Sequence, residues 1–118
     1  MDKKLSACAN PDCGKQLLAV RDAIDVLGGK WRIPIITVLG YYKTRRFKEL
    51  QSEITGITAK MLSKELKDLE ANQLITRTIQ DTRPITVIYE ITPYGYSSSK
   101  IIRELYDWGV AHRKKIME

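Results

Sequence analysis

The chain has 118 residues, of which 43% are hydrophobic, and this is enough for one compact domain with an apolar core but leaves no room for a second. Lys and Arg total 20 against 14 Asp and Glu, so the formal net charge of +6 favours a polyanionic partner, of which nucleic acid is the commonest. No apolar run approaches the roughly 18 residues of a membrane span, and the first residues lack the apolar core of a signal peptide, so we expect a cytoplasmic protein that does not bind a membrane.

Helical periodicity predicts a series of helices in the first part of the chain. Gly28-Gly29 ends the first helix, and Pro34 is tolerated only in the first turn of the second. Gly56 forms the turn before the fourth helix, and Thr58 caps that helix. The predicted helices are Leu17–Leu27, Trp31–Tyr41, Phe47–Ile54 and about Thr58–Asn72, with a basic loop of Lys43 to Arg46 between the second and the third.

After the fourth predicted helix, the sequence pattern changes to alternating β-branched and polar residues. Leu74–Ile79 and Thr86–Ile91 are predicted to be strands of a hairpin whose polar tip is Gln80 to Pro84. Thr92 followed by Pro93 predicts the start of a long closing helix. The predicted order is therefore α-α-α-α-β-β-α, a mostly helical α+β domain.

The fourth helix is the strongest candidate for the functional element. Its leucines lie on one side, and polar or basic side chains lie on the other. Two helices joined by a glycine-containing turn, with a hairpin directly after them, indicate a winged helix-turn-helix that binds double-stranded DNA. The predicted DNA-binding residues are Thr58, Lys60, Ser63, Lys64, Lys67, Arg45, Arg46 and Arg83. The alternative is a solvated helix face whose lysines pair with Glu65, Asp68 and Glu70.

The two cysteines, Cys8 and Cys13, lie close together ahead of the first periodic segment. They are candidates for a local disulfide, for a thiol switch or for inert thiols in an N-terminal tail of residues 1–13, with the domain spanning 14–118. Because His112 is the only histidine, we expect no metal site, and no cofactor-binding motif is present. No catalytic motif stands out either, so we do not expect an enzyme.

Several short motifs, in order, resemble those of the HxlR-type winged-helix regulators, distant relatives of the MarR group. The resemblance runs from about Leu17 to Trp108, and its motifs are Gly28-Gly29-Lys30-Trp31, Arg46-Phe47-Lys48-Glu49-Leu50, Gly56-Ile57-Thr58 and Val87-Ile88-Tyr89-Glu90-Ile91-Thr92. The resemblance implies a homodimeric transcriptional regulator that binds a pseudo-palindromic operator, with the fourth helix in the major groove and the wing on the backbone or minor groove. The cysteine that the family commonly has at the start of the first helix would fall near Leu18.

A homodimer is also expected from the terminal helices, because a domain this small has little interior in which to bury both of their apolar stripes. The predicted interface residues are Leu17, Val20, Ile24, Ile101, Leu105 and Trp108. Two alternatives to the DNA-binding regulator remain: a winged-helix protein-interaction module without DNA function, and a regulator that senses oxidants through its thiols. The sequence identifies neither an operator nor a small-molecule inducer.

Overall fold

A computed structural model describes residues 11–118 as helices arranged around a small antiparallel sheet. The elements in chain order are α1 Pro11–Leu27, α2 Arg32–Tyr42, β1 Thr44–Arg46, α3 Phe47–Glu53, α4 Ala59–Ala71, β2 Ile75–Gln80, β3 Thr86–Ile91, α5 Pro93–Tyr96 and α6 Ser99–Ile116. The predicted mostly helical α+β fold is confirmed.

The core lies where α2, α3 and α4 pack against the start of the hairpin. Its fully buried side chains are Ile35, Leu39, Leu50, Leu62, Leu66, Leu69 and Ile75. Burying a side chain of this size contributes about 1.5–3 kcal/mol, so the three leucines of α4 dock that helix firmly by one side. The opposite side of α4 is left on the surface.

The predicted turn and cap residues act as expected. Gly29 and Gly56 have φ of +95° and +90°, the left-handed backbone that glycine adopts most easily, after α1 and after α3. The Thr58 hydroxyl accepts a hydrogen bond from the Met61 backbone N–H at 3.1 Å and so caps α4. Pro34 lies in the first turn of α2.

The sheet has the strand order β1–β3–β2, so β3 is the central strand. In the β2–β3 hairpin Ile75 pairs with Ile91 and Gln80 pairs with Thr86. Only the first residue of β2, Ile75, is buried, and the rest of that strand is exposed. The hairpin therefore projects from the core as a wing next to α4.

The start of the first helix differs from the prediction. It begins at Pro11 rather than Leu17, because proline suits the first helical position and Asp12 places a negative charge in the first turn. Cys13 was predicted to lie in a tail ahead of the folded core, and this was wrong: it is helical and 4% exposed.

Two further segments differ from the prediction. Part of the basic loop forms β1, which pairs with β3 between Thr44 and Glu90. The closing helix is divided into α5 and α6 at Ser97, whose backbone N–H donates to the Pro93 and Tyr94 carbonyl oxygens. The Ser98 hydroxyl also donates to the Gly95 carbonyl oxygen, at 2.7 Å. Gly95 is buried so close to Leu74 that a Cβ there would overlap the Leu74 carbonyl oxygen.

Candidate nucleic-acid interface

The exposed side of α4 carries a row of lysines. Lys60, Lys64 and Lys67 are all exposed, and their spacing of four and three residues places them on one helical face, opposite the buried leucines. The Thr58 cap fixes where this helix begins. The structure thus brings the three predicted lysines together on one surface.

The three lysines differ in their ion pairs. Lys64 Nζ lies 3.5 Å from Asp68 Oδ2 and 3.6 Å from Glu65 Oε1, and its side chain is 71% exposed. Lys60 and Lys67 make no ion pair with any residue of 11–118. The alternative of a lysine face neutralised by its own helix therefore applies to Lys64, while the charges of the other two remain available to an anionic ligand.

Two smaller polar residues, Thr58 and Ser63, lie beside the lysine row of α4. The Thr58 hydroxyl accepts the capping hydrogen bond at the N-terminus of α4. Ser63 is half-buried, and it faces the hairpin from the edge of the lysine surface. Thr58 directly precedes the first residue of α4, and Ser63 lies in its second turn.

The wing contributes a second basic region. Arg83 is exposed at the hairpin tip, where the Thr82 hydroxyl is 2.8 Å from the Pro84 carbonyl oxygen and 2.9 Å from the Thr86 hydroxyl. These short contacts order the tip that presents Arg83. The residue lies on a different element from the lysines of α4, so the two regions form separate contacts with any shared ligand.

Arg77 is a candidate residue that the sequence analysis did not select. It lies on β2 opposite Tyr89, and with Ser63 and Lys67 it lines a groove of about 400 Å³ between α4 and the wing, which Glu70 also lines. The alternation of side chains along β2 could have identified Arg77. Arg77 lies two residues after buried Ile75, so both side chains are on the same face of the strand, and that face is turned toward α4. The groove joins the basic wing to the basic helix.

The predicted phosphate contacts Arg45 and Arg46 differ from each other. Arg46 is exposed next to α3. Arg45 is 20% exposed, and its Nη1 lies 3.4 Å from Glu49 Oε2. Its Nε lies 2.9 Å from Glu53 Oε1, which makes an ion pair but not a well-aligned hydrogen bond. The Arg45 guanidinium also lies 3.3 Å from the centre of the Tyr42 ring. Arg45 is thus engaged by its own neighbours, whereas Arg46 faces solvent.

The terminal helices expose the apolar side chains predicted for a dimer interface. Each is between 45% and 67% exposed: Leu17, Val20, Ile24, Ile101, Leu105 and Trp108. The Trp108 ring stacks on His112 with 5.0 Å between ring centres, and Trp31 packs against the core. The apolar surface of α1 and α6 is therefore large and is not covered by residues 11–118.

The remaining predictions concern cysteines, metals and membranes. Cys13 is buried and disulfide-bonded, and Cys8 lies outside the described residues. Within residues 11–118 no group of three or more His, Cys, Asp or Glu side chains is placed to hold a metal ion. None of the described helices is both long and apolar enough to cross a membrane.

A family model for the HxlR-like helix-turn-helix matches residues 26–117, which include α2 to α6 and the wing. The chain belongs to the HxlR-like helix-turn-helix family. The resemblance noted in the sequence is confirmed, and the matched segment contains the lysine face of α4, the groove and the wing.

Proteins similar to this chain are named as regulators. The uncharacterized HTH-type transcriptional regulator YtcD of Bacillus subtilis (strain 168) is 35% identical over 102 residues, which cover 86% of this chain and 80% of YtcD. The structure of a MarR-family transcriptional regulator from Enterococcus faecalis V583 superposes with a TM-score of 0.75 at 28% identity, covering 86% of this chain and 91% of that one. The redox regulator HypR in its reduced form gives a TM-score of 0.72 at 29% identity, covering 84% and 97% of the two chains. The winged helix-turn-helix fold is thereby confirmed.

Proposed function

We propose that this protein is a sequence-specific DNA-binding transcriptional regulator that acts as a homodimer. Its α4 enters the major groove, and its wing lies on the backbone or in the minor groove of the same duplex. The observation that carries the proposal is the lysine face of α4, which is exposed, partly unpaired and held in place by leucines on the other side. The relatives named as transcriptional regulators support it.

The dimensions and chemistry of α4 suit this role. A helix of this width fits the major groove of B-DNA, which is about 12 Å wide. Lys60 and Ser63 lie near its N-terminus and contact base edges, whereas Lys64 and Lys67 contact phosphates. Thr58, at the cap, contacts the backbone where the helix enters the groove.

The wing and the loop before α3 add contacts to the phosphates. Arg83 at the tip is exposed, and Arg77 faces Lys67 across the groove between wing and helix. Arg46 is exposed, while Arg45 must leave Glu49 and Glu53 before it can bind a phosphate. We therefore expect Arg46 to contribute more than Arg45.

The homodimer forms through α1 and α6. Their apolar side chains would bury a large surface against a second copy, and an uncovered apolar patch of this kind on a small domain marks an interface. A two-fold dimer binds a pseudo-palindromic operator with half-sites about one helical turn apart, roughly 10 base pairs or a multiple of it.

The proposed domain comprises residues 14–118 together with Pro11 to Cys13, the first residues of α1. In this proposal the protein acts in the cytoplasm, and it is a binding protein rather than an enzyme. A winged-helix interaction module would have no need for a lysine face on α4 or an arginine at the wing tip.

A thiol switch is the second candidate function. The similar protein HypR is named as a redox regulator, and Cys13, which lies in α1 of this chain, is disulfide-bonded. In this alternative, oxidation and reduction at Cys13 change how α1 packs and so change DNA binding. DNA affinity measured with and without a reductant decides between a constitutive and a redox-sensitive regulator.

Selection of bound fragments from genomic DNA tests the proposed function. The purified protein is expected to enrich a few fragments over bulk DNA at moderate salt, and these fragments should share a two-fold symmetric element. Failure to enrich any fragment would contradict the proposal and favour the interaction module. The Lys60→Ala, Lys64→Ala, Lys67→Ala triple variant is the matched control, because it keeps the leucines that dock α4.

A further inference from the structure

One side chain, Arg32, connects three elements of the fold. Its Nε donates to Glu65 Oε2 at 2.8 Å and its Nη2 donates to Asp68 Oδ2 at 3.0 Å, so two contacts go to α4. Its Nη1 donates to the carbonyl oxygens of Asp25 and Val26, at 2.6 and 3.1 Å, in the last turn of α1. Arg32 itself is the first residue of α2.

The ion pairs of Arg32 differ from the others in the structure. Among the ion pairs of residues 11–118, only those of Arg32 join one helix to another. Its side chain and that of Glu65 are each 15% exposed, which shields the contact from solvent. Because water and salt screen this ion pair only weakly, it holds its geometry better than an exposed pair does. An exposed pair in this structure is Arg103 with Asp107, whose Nε and Oδ1 are 3.9 Å apart.

The chemistry of the guanidinium explains why this position needs arginine. A planar fork with five N–H donors can serve two carboxylates and two carbonyl oxygens at once, whereas an ammonium is a point charge with three donors. The carbonyl oxygens at the end of α1 have no partner within that helix, so Arg32 also satisfies part of its C-terminus. Replacing it removes contacts to both α1 and α4 together.

We propose that Arg32 is a positioning residue that fixes α4 relative to the end of α1, and thereby sets the separation of the two recognition helices in the dimer. The inference rests on the proposed function, in which α1 contributes to the dimer interface and α4 binds DNA. A buried ion pair adds little net stability compared with apolar packing, so its effect is expected in geometry more than in folding.

The test measures tolerance to half-site spacing. The probes are duplexes that the wild-type protein recovers from a random-sequence pool, with one or two base pairs inserted at the centre of symmetry. Binding of the full chain is followed by fluorescence anisotropy, and each variant is also melted thermally. The variant is Arg32→Lys, which keeps the charge and loses the fork.

A control comes from an arginine whose ion pair lies within one helix. Arg103→Lys disturbs the pair with Asp107, but both residues lie on α6 and neither α1 nor α4 is involved. A second variant, Glu65→Gln with Asp68→Asn, removes the negative charges of the two partners on α4 and leaves Arg32 in place. It serves if Arg32→Lys folds poorly.

The wild-type protein and Arg103→Lys are expected to lose about tenfold or more in affinity for a two-base-pair insertion, because the second half-site no longer meets its helix. Arg32→Lys should bind the original probe more weakly, and both Arg32→Lys and the Glu65→Gln, Asp68→Asn variant should lose less than about threefold on insertion. An insertion penalty equal to that of the wild type would overturn the inference. So would a uniform loss on all probes that tracks a lower melting temperature, since that indicates a purely structural role. Absence of wild-type binding to every duplex would instead refute the proposed function, and this inference with it.

Discussion

Replacing Lys67 with alanine isolates one phosphate contact of the recognition helix. Lys67 is exposed on α4 and makes no ion pair with the described residues, so its full charge is available to DNA. In a dimer the substitution removes two such contacts. Each neutralised phosphate contributes about 0.9 to the slope of log affinity against log salt, so the slope should become shallower by about 1.8.

The magnitude is large enough to measure by fluorescence anisotropy. A change of about 1.8 in slope means that raising salt from about 50 to 200 mM weakens the variant roughly tenfold less than the wild type. Specific and random duplexes should be affected alike, because a phosphate contact carries no sequence information. Lys64→Ala should change the slope less, since Asp68 and Glu65 already share the charge of Lys64.

The control is Lys114→Ala, which removes an exposed lysine from the last turn of α6 instead of α4. If Lys67→Ala and Lys114→Ala gave the same salt slope, Lys67 would not contact phosphate. If the combined replacement of Lys60, Lys64 and Lys67 left both affinity and slope unchanged, α4 would not be the DNA-binding helix at all.

Four other variants test the fold, the dimer and the cysteines. Gly95→Ala should lower the free energy of unfolding in urea by about 1–3 kcal/mol, because the added Cβ overlaps backbone atoms. Gly109→Ala, with open space around it in α6, should raise the free energy of unfolding by about 0.5–1 kcal/mol, and the reverse order would refute the packing. Leu105→Glu should convert a dimer into a monomer in light scattering, and a monomeric wild type would contradict the interface. The Cys8→Ser, Cys13→Ser variant should bind DNA normally under reducing conditions, and a large loss of affinity would show that these cysteines are needed for binding.

The features that could be predicted from the sequence are those determined by local patterns. The recognition helix was located within a residue at each end because Thr58 caps it and the leucine spacing marks its buried side. The hairpin followed from alternation, with β3 at the predicted Thr86–Ile91. In both cases neighbouring residues along the chain carry the whole signal.

The features that could not be predicted depend on contacts between distant segments. The three-residue β1 has no apolar alternation of its own and exists because β3 offers it a partner strand. Arg32 reaches carboxylates 33 and 36 residues away, and nothing in the spacing of the sequence pairs them. Burial of Cys13 likewise does not follow from the periodicity of α1. Arg77 is the exception, since the alternation beginning at Ile75 already placed it on the inner face of the wing.

Chemical protection of guanines tests most directly the central claim that α4 binds in the major groove. Dimethyl sulfate methylates guanine at N7, an atom that lies in the major groove. On a fragment selected by the wild-type protein, the dimer is expected to protect guanines in two clusters about one helical turn, or a multiple of it, apart. The Lys60→Ala, Lys64→Ala, Lys67→Ala variant should abolish this protection. Tight binding by the wild-type protein with every guanine N7 still reactive would contradict the account.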